Sequence, residues 1–142
     1  MTIVFHCLVK AVKHLEPREA FEFLKKTPDA VFVDCRSEME YLFVGHPVGA
    51  LHVAWNEGPD WEVNPHFVGQ VRKLAGTNHA HRPIVLICRS GNRSQEAGEA
   101  LERQGFGRVY NVAHGFEGPL NEKHQRNVVA GWRHDGLPWE QC

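Results

Sequence analysis

Pro83-Ile84-Val85-Leu86-Ile87-Cys88-Arg89-Ser90-Gly91-Asn92-Arg93-Ser94 decides how this chain is read. Its unbroken aliphatic run suits a short strand buried on both faces. The run ends at a cysteine, and a segment with helical patterning opens at about Ser94. Such a strand delivers one thiol to the floor of a loop. Gly91 lets the backbone approach closely, Arg89 and Arg93 bring two guanidinium groups, and a helix N-terminus lies behind. This cup stabilises a thiolate and holds an anion above it.

Outward from this stretch, strands and helices alternate. Residues 3–9 predict an edge strand. Residues 15–26 predict a helix, with Pro17 at its first position, acids early and lysines late. Residues 30–34 are apolar up to Asp34, which reads as a buried parallel strand with a carboxylate at its carboxyl end. A short helix is expected over 38–43, a turn over 45–50, a strand over 51–54 and a loop with aromatic anchors over 55–65. A helix from Asn64-Pro65 to Gly76, a polar loop over 77–82, the strand 83–87, a helix over 94–104 and a last strand over 109–112 complete the pattern. The alternation predicts an α/β domain with a mainly parallel sheet, whose ligands gather at the carboxyl ends of the strands. Asp34 and Cys88 would both lie there.

A chain of 142 residues suits one domain with a single core, and 42% hydrophobic content argues against disorder. The net charge of −1 supplies no global field for nucleic acid or an acidic membrane, so anion binding must come from local geometry. Cys7, Cys35, Cys88 and Cys142 are widely spaced, with neither a CxxC pair nor a disulfide framework. They read as reduced thiols of a soluble, cytoplasmic protein. Neither a signal peptide nor a membrane helix is predicted. His79 and His81 lack a carboxylate or cysteine at ligand spacing, so no metal and no other cofactor is expected.

Three chemistries compete for Cys88. A free cysteine is most often a small buried hydrophobe, but the flanking arginines and Gly91 argue against that fate here. A phosphatase nucleophile needs a loop wide enough for phosphate. Four residues separate Cys88 from Arg93, one fewer than that chemistry uses, and Ser94 stands where its arginine would be. A sulfur carrier needs only room for one more sulfur atom. Its thiolate takes the outer sulfur of a donor, holds it as a persulfide, and passes it to an acceptor.

The loop Cys88-Arg89-Ser90-Gly91-Asn92-Arg93-Ser94 resembles the Cys-Arg-x-Gly-x-Arg loop, followed by Ser or Thr, of the rhodanese family. Asp34-Cys35-Arg36 with Glu40-Tyr41 resembles its Asp-Val-Arg and Glu-aromatic element. Gly45-His46-Pro47-Val48-Gly49-Ala50 is similar to its Gly-His-Ile-Pro-Gly-Ala segment. Gly115-Phe116, Gly131-Trp132 and Gly136-Leu137-Pro138 match closing elements of single-domain members. The resemblance runs from about residue 14 to 139. Cys35 departs from the usual aliphatic residue, Pro47-Val48 from Ile-Pro, and one extra residue lies before Gly45.

The resemblance implies a rhodanese-like α/β fold, a central five-stranded mainly parallel sheet with helices on both faces. It implies one domain over 1–142, with a core of about 14–120 and a C-terminal extension, 121–142, packed on it. The implied activity is that of a thiosulfate sulfurtransferase. Sulfane sulfur moves from thiosulfate or a persulfide donor to cyanide or a thiol through a Cys88 persulfide, with Arg89, Ser90, Gly91, Asn92, Arg93 and Ser94 as the anion-binding loop. A sulfur-carrier protein is a further candidate partner; nucleic acid and membrane are not. A non-enzymatic binding or sulfur-relay module is the rival reading, ahead of a phosphatase or arsenate reductase. Asp34 and Arg36 are expected as supporting residues, paired at the strand end rather than steering anions. Cys35 reads either as a strand residue buried by alternation or as a resolving thiol. His46 and His114 read as turn or core residues, and Trp55 and Trp61 as loop anchors before pocket walls.

Overall fold

A computed structural model describes residues 12–142. The strand expected over 3–9 lies outside the described residues. Five strands form one parallel sheet: β1 (Lys13–Leu15), β2 (Val31–Asp34), β4 (Leu51–His52), β5 (Ile84–Ile87) and β6 (Val109–Val112), in the spatial order β1-β6-β5-β2-β4. The strand that ends at Cys88 is central, and its four aliphatic residues have no exposed surface. A strand covered on both faces needs apolar side chains at every position, which is what the run supplies.

Alternation along the strands sorts the core into two layers. Val33, Cys35, Leu86 and Cys88 face one layer, with Phe67, Val71, Ala97 and Leu101 from helices α2 (Phe67–Ala75) and α3 (Asn92–Arg103). Phe32, Val85 and Ile87 face the other, with Ala20 of helix α1 (Pro17–Lys26) and with Phe116, Trp132 and Leu137 of the C-terminal segment. Trp132 seats that segment. It is buried, packs against Phe21 and Phe32, and donates its ring N–H to the Pro138 carbonyl at 2.8 Å.

Several boundaries differ from the sequence expectations. Helix α1 begins at Pro17, not at residue 15, because Leu15 pairs with Val112 as the end of β1. Glu16 is extended between them and donates its N–H to the Glu19 carboxylate at 2.8 Å. The short helix ends in a wide turn over Glu40–Val44, in which Gly45 N–H reaches back to the Glu40 carbonyl at 3.1 Å. Helix α2 starts at Phe67 because Asn64 makes the preceding turn, accepting from His66 N–H at 2.9 Å. β4 keeps only its first two expected residues, although Val53 and Trp55 still donate to the Asp34 and Cys35 carbonyls beside it. A two-residue strand, β7 (Trp139–Glu140), pairs antiparallel with β3 (His46–Pro47), too short for periodicity to predict.

The boundary that matters most is the start of α3. It begins at Asn92, two residues before the expected start. Gly91 has φ of 107°, a conformation glycine adopts without steric cost, so the chain turns at once into the helix. Arg93 and Ser94 therefore sit in the first helical turn rather than in the loop.

Candidate active site

Cys88 lies just past the end of β5 and is fully buried. Its sulfur accepts from Gly91 N–H at 3.1 Å, Ser94 N–H at 3.4 Å and the Ser94 hydroxyl at 3.2 Å. All three donors converge at the N-terminus of α3, where backbone amides favour negative charge. The Cys35 thiol donates to the same sulfur and is the largest single influence on it. Burial opposes ionisation, but Cys35 and the Ser94 and Gly91 donors outweigh it and bring the Cys88 pKa down to about 5. The other half of the pair moves oppositely. Burial pushes the Cys35 thiol well up, and the hydrogen bond given to Cys88, with the charges of Cys88 and Asp34, adds to that. At neutral pH the pair holds one thiolate, on Cys88, and one thiol, on Cys35.

Ser94 also faces Asn111 of β6, its oxygen 2.5 Å from the amide oxygen. A hydroxyl has one proton, so it serves either Asn111 or Cys88 at a given moment. The thiolate, as the charged acceptor, makes the stronger claim. The Asn111 amide nitrogen lies 3.2 Å from the Gly91 carbonyl and 3.3 Å from His14 Nδ1, which ties the turn of the loop to β1 and β6. Asn111 and His14 were not singled out in the sequence, where nothing sets an asparagine in a strand apart from its neighbours.

Arg93 lines the cleft above the loop, and the charges of Arg93 and Cys88 act on each other. Its guanidinium makes a two-pronged pair with Glu40, at 2.8 and 3.0 Å. Ser37 supports the carboxylate through its hydroxyl at 2.9 Å and its N–H at 3.2 Å. Partial burial alone would raise the Glu40 pKa, but Arg93 and Ser37 hold it at about 2. Burial works against the Arg93 charge, and the Glu40 carboxylate more than compensates, so its pKa is raised.

Asp34 and Arg36 form a second pair behind the loop, fully buried, with contacts of 2.9 and 2.6 Å. Arg36 also bonds the Gly45 carbonyl and lies over the Phe116 ring at 4.6 Å. It braces the end of β2 against the Gly45 turn and has no access to an anion in solvent.

Above the loop opens a cleft of about 650 Å³, lined by Ser37, Glu40, Arg89, Arg93, Trp61, Glu117 and Arg126. Arg89 is exposed, and Arg126 reaches the rim while donating to the Gly118 carbonyl at 2.7 Å. Trp61 is half-exposed at the rim, whereas Trp55 is a core residue packed edge-on against Phe67. Arg126 belongs to a polar stretch with no motif and was missed in the sequence. Gly115 shapes this wall: a Cβ there would collide with the Cys88 carbonyl oxygen, and its φ is 64°. That close approach lets Phe116 and Glu117 donate to the Cys88 and Arg89 carbonyls at 2.7 and 2.9 Å.

Ser90 and Asn92 donate no hydrogen bond to the sulfur among the described contacts. His46 stacks on Tyr41 with centroids 3.8 Å apart, and His114 sits 3.4 Å from Glu16. Among the described residues, no group of three or more His, Cys, Asp or Glu side chains could hold a metal, and no helix is long and apolar enough to cross a membrane.

Known proteins resemble this chain in sequence and fold. The family model of the rhodanese-like domain matches residues 17–122. A thiosulfate sulfurtransferase GlpE of Pseudomonas putida is 34% identical over 105 residues, covering 74% of this chain and 82% of its own. The crystal structure of Rv0390 from M. tuberculosis superposes with a TM-score of 0.82 at 36% identity, covering 94% of this chain and all of that one. The polysulfide-sulfur transferase homodimer of Wolinella succinogenes shares the fold, with a TM-score of 0.59 at 21% identity, over 92% of this chain and 80% of that one. The central parallel strand, the cysteine at its end and the match over most of the chain lead to one conclusion: this chain belongs to the rhodanese-like domain family, which includes sulfurtransferases.

Proposed function

We propose that the protein is a sulfurtransferase that carries sulfane sulfur on Cys88. The observation that carries this reading is the pairing of a hydrogen-bonded cysteine sulfur with a loop arginine whose two prongs are held by Glu40. A phosphatase needs its loop arginine free to clasp phosphate oxygens, and here Glu40 occupies both prongs of Arg93. A persulfide needs no such clasp. It needs an ionised thiol, donors around the sulfur and room for one more sulfur atom.

In the first step the Cys88 thiolate attacks the outer sulfur of thiosulfate. A sulfur–sulfur bond forms to Cys88, the donor's sulfur–sulfur bond breaks, and sulfite leaves with the bonding pair. In the second step cyanide or a thiolate attacks the outer sulfur of the persulfide, and Cys88 leaves as the thiolate. Gly91 N–H, Ser94 N–H and the N-terminus of α3 stabilise the negative charge in both resting and loaded states. Arg89 and Arg126 at the rim draw small anionic donors toward the cleft. A persulfide of a small thiol meets the same chemistry, and a sulfur-carrier protein presenting one is a candidate partner.

The test is incubation with thiosulfate followed by peptide mass analysis, then cyanide and a thiocyanate assay. The reading predicts a gain of one sulfur atom on the peptide containing Cys88 and its loss on adding cyanide. No adduct on Cys88, or unchanged turnover in Cys88→Ser, defeats it and leaves the non-enzymatic module.

A further inference from the structure

The transfer described above uses one cysteine, yet a second thiol touches the reacting sulfur. Asp34 of β2 is paired with Ile87 of β5, and Cys35 N–H continues the ladder to the Ile87 carbonyl at 2.9 Å. Cys35 and Cys88 are therefore the next pair along two adjacent parallel strands, and alternation turns both side chains to the same layer of the core. Neighbouring strands lie about 4.7–4.9 Å apart, inside the range of about 4.4–6.8 Å between Cα atoms that a disulfide spans. Both thiols are free and buried. The Cys35 sulfur lies 3.4 Å from the Ile87 carbonyl oxygen and hydrogen-bonds the Cys88 sulfur, so its one proton is offered to either acceptor. Neither cysteine has exposed surface or lines the cleft, but the loop that follows Cys88 does, through Arg89 and Arg93, so the cleft leads to Cys88 and not to Cys35. Its reach is to Cys88.

We infer that Cys35 is a resolving thiol, which discharges the Cys88 persulfide internally and releases hydrogen sulfide. This inference rests on the sulfurtransferase reading above. Once Cys88 has taken a sulfur atom, its inner sulfur is no longer an anion and becomes an electrophile. Cys35 attacks that inner sulfur, and a Cys35–Cys88 bond forms. The bond to the outer sulfur breaks, and that sulfur leaves with the bonding pair. The proton of Cys35 goes to the departing sulfur, so the product is HS⁻ and the protein is left as an intramolecular disulfide. A dithiol reductant then reopens the disulfide by thiol exchange, is itself oxidised to its disulfide, and restores both thiols. With such a reductant the protein converts sulfane sulfur to sulfide. A strong nucleophile such as cyanide competes by taking the outer sulfur first.

The experiment uses the full chain with Cys7→Ser and Cys142→Ser, so that two thiols remain. The protein is loaded with thiosulfate without an acceptor; sulfide is assayed, and the Cys35 and Cys88 peptides are mapped. The same is done with Cys35→Ser, which keeps a hydrogen-bond donor beside Cys88, and with Cys35→Val. The valine variant is loaded at about pH 9, where a thiol ionises without assistance. The inference predicts about one sulfide per Cys88 and a Cys35–Cys88 linked peptide in the parent. It predicts a retained persulfide, with at least about tenfold slower sulfide release, in both variants. A persulfide equally long-lived in parent and Cys35→Ser, without the linked peptide, overturns the inference and leaves the sulfurtransferase reading standing. No sulfur gain on Cys88 in any of the three defeats both.

Discussion

Replacing Ser94 with alanine tests whether the thiolate is stabilised as the geometry indicates. The substitution removes the hydroxyl at 3.2 Å from the Cys88 sulfur and keeps the donors at Gly91 N–H, Ser94 N–H and Cys35. A hydrogen bond to a charged group contributes about 1.5–3 kcal/mol, equivalent to about 1–2 pKa units. The hydroxyl proton is divided between Cys88 and Asn111, so the lower end applies. From about 5 in the parent, the Cys88 pKa should therefore rise to about 6 in the variant.

Two consequences of opposite sign follow. At about pH 5 the thiolate fraction falls from about one half to about one tenth, roughly a fivefold loss. A more basic thiolate is also a better nucleophile, by about threefold per pKa unit. The rate of Cys88 alkylation by iodoacetamide should then fall about twofold near pH 5 and rise about threefold above pH ~8, with the two profiles crossing between. Stopped alkylation followed by peptide mass analysis reads both limbs on Cys88 itself. An acid limb with an unmoved midpoint, or a plateau lowered at every pH, refutes the reasoning and makes Ser94 a spacer only. Asn111 loses a partner in the same variant, so a drop in stability of about 1–3 kcal/mol should accompany the shift.

Glu40→Gln tests the Arg93 pair through its acid dependence. The Glu40 pKa is depressed from 4.5 to about 2, so its contribution is present above about 4.5 and is lost as the pH falls through about 2. After allowance for solvent screening at a partly exposed site, about 1 kcal/mol of the parent's acid-sensitive stability should be missing in the variant, as read by urea unfolding at about pH 6 and pH 3. Arg36→Met strips the partner from a fully buried carboxylate and should cost about 3–5 kcal/mol, with part recovered when Asp34→Asn is added; urea midpoints of the single and double variants decide it. Arg126→Ala should raise the KM for thiosulfate several-fold with kcat little changed, and the difference should shrink at high ionic strength; an unchanged KM at low salt would remove Arg126 from donor capture.

The sheet was legible because its strands had no choice of environment. Ile84-Val85-Leu86-Ile87 is apolar at every position, and only a central parallel strand buries all four. Asp34 at the end of a similar run marks where β2 ends, although the chain stays buried there because Arg36 pairs with its carboxylate. The edge strand β1 and the pair β3 and β7 were not legible for the converse reason. Two or three residues cannot display a period of two, and their partners at Tyr110, Asn111, Trp139 and Glu140 are remote in the chain. The start of α3 is not legible because a glycine–asparagine step reads as loop, although Gly91 in its left-handed conformation begins the helix immediately.

The site shows a deeper limit of reading chemistry from residue types. Arg93 looked like an anion ligand because an arginine follows a cysteine at short spacing. Its actual role depends on Glu40, which is distant in the chain and comes to 2.8 Å only through folding. With Arg93 paired to Glu40, the charge on the sulfur is held chiefly by hydrogen bonds from Cys35, Ser94 and Gly91. Such a cup stabilises one small charge at a fixed point and offers little to the spread charge of a phosphoryl group. The loop's short spacing and the Glu40 pair are thus independent observations that favour the same size and charge of cargo. Restoring a free arginine should separate them: in Glu40→Gln the loop length is unchanged, so phosphatase activity should still be absent if spacing governs, and detectable hydrolysis of an aryl phosphate would give the decisive weight to Glu40.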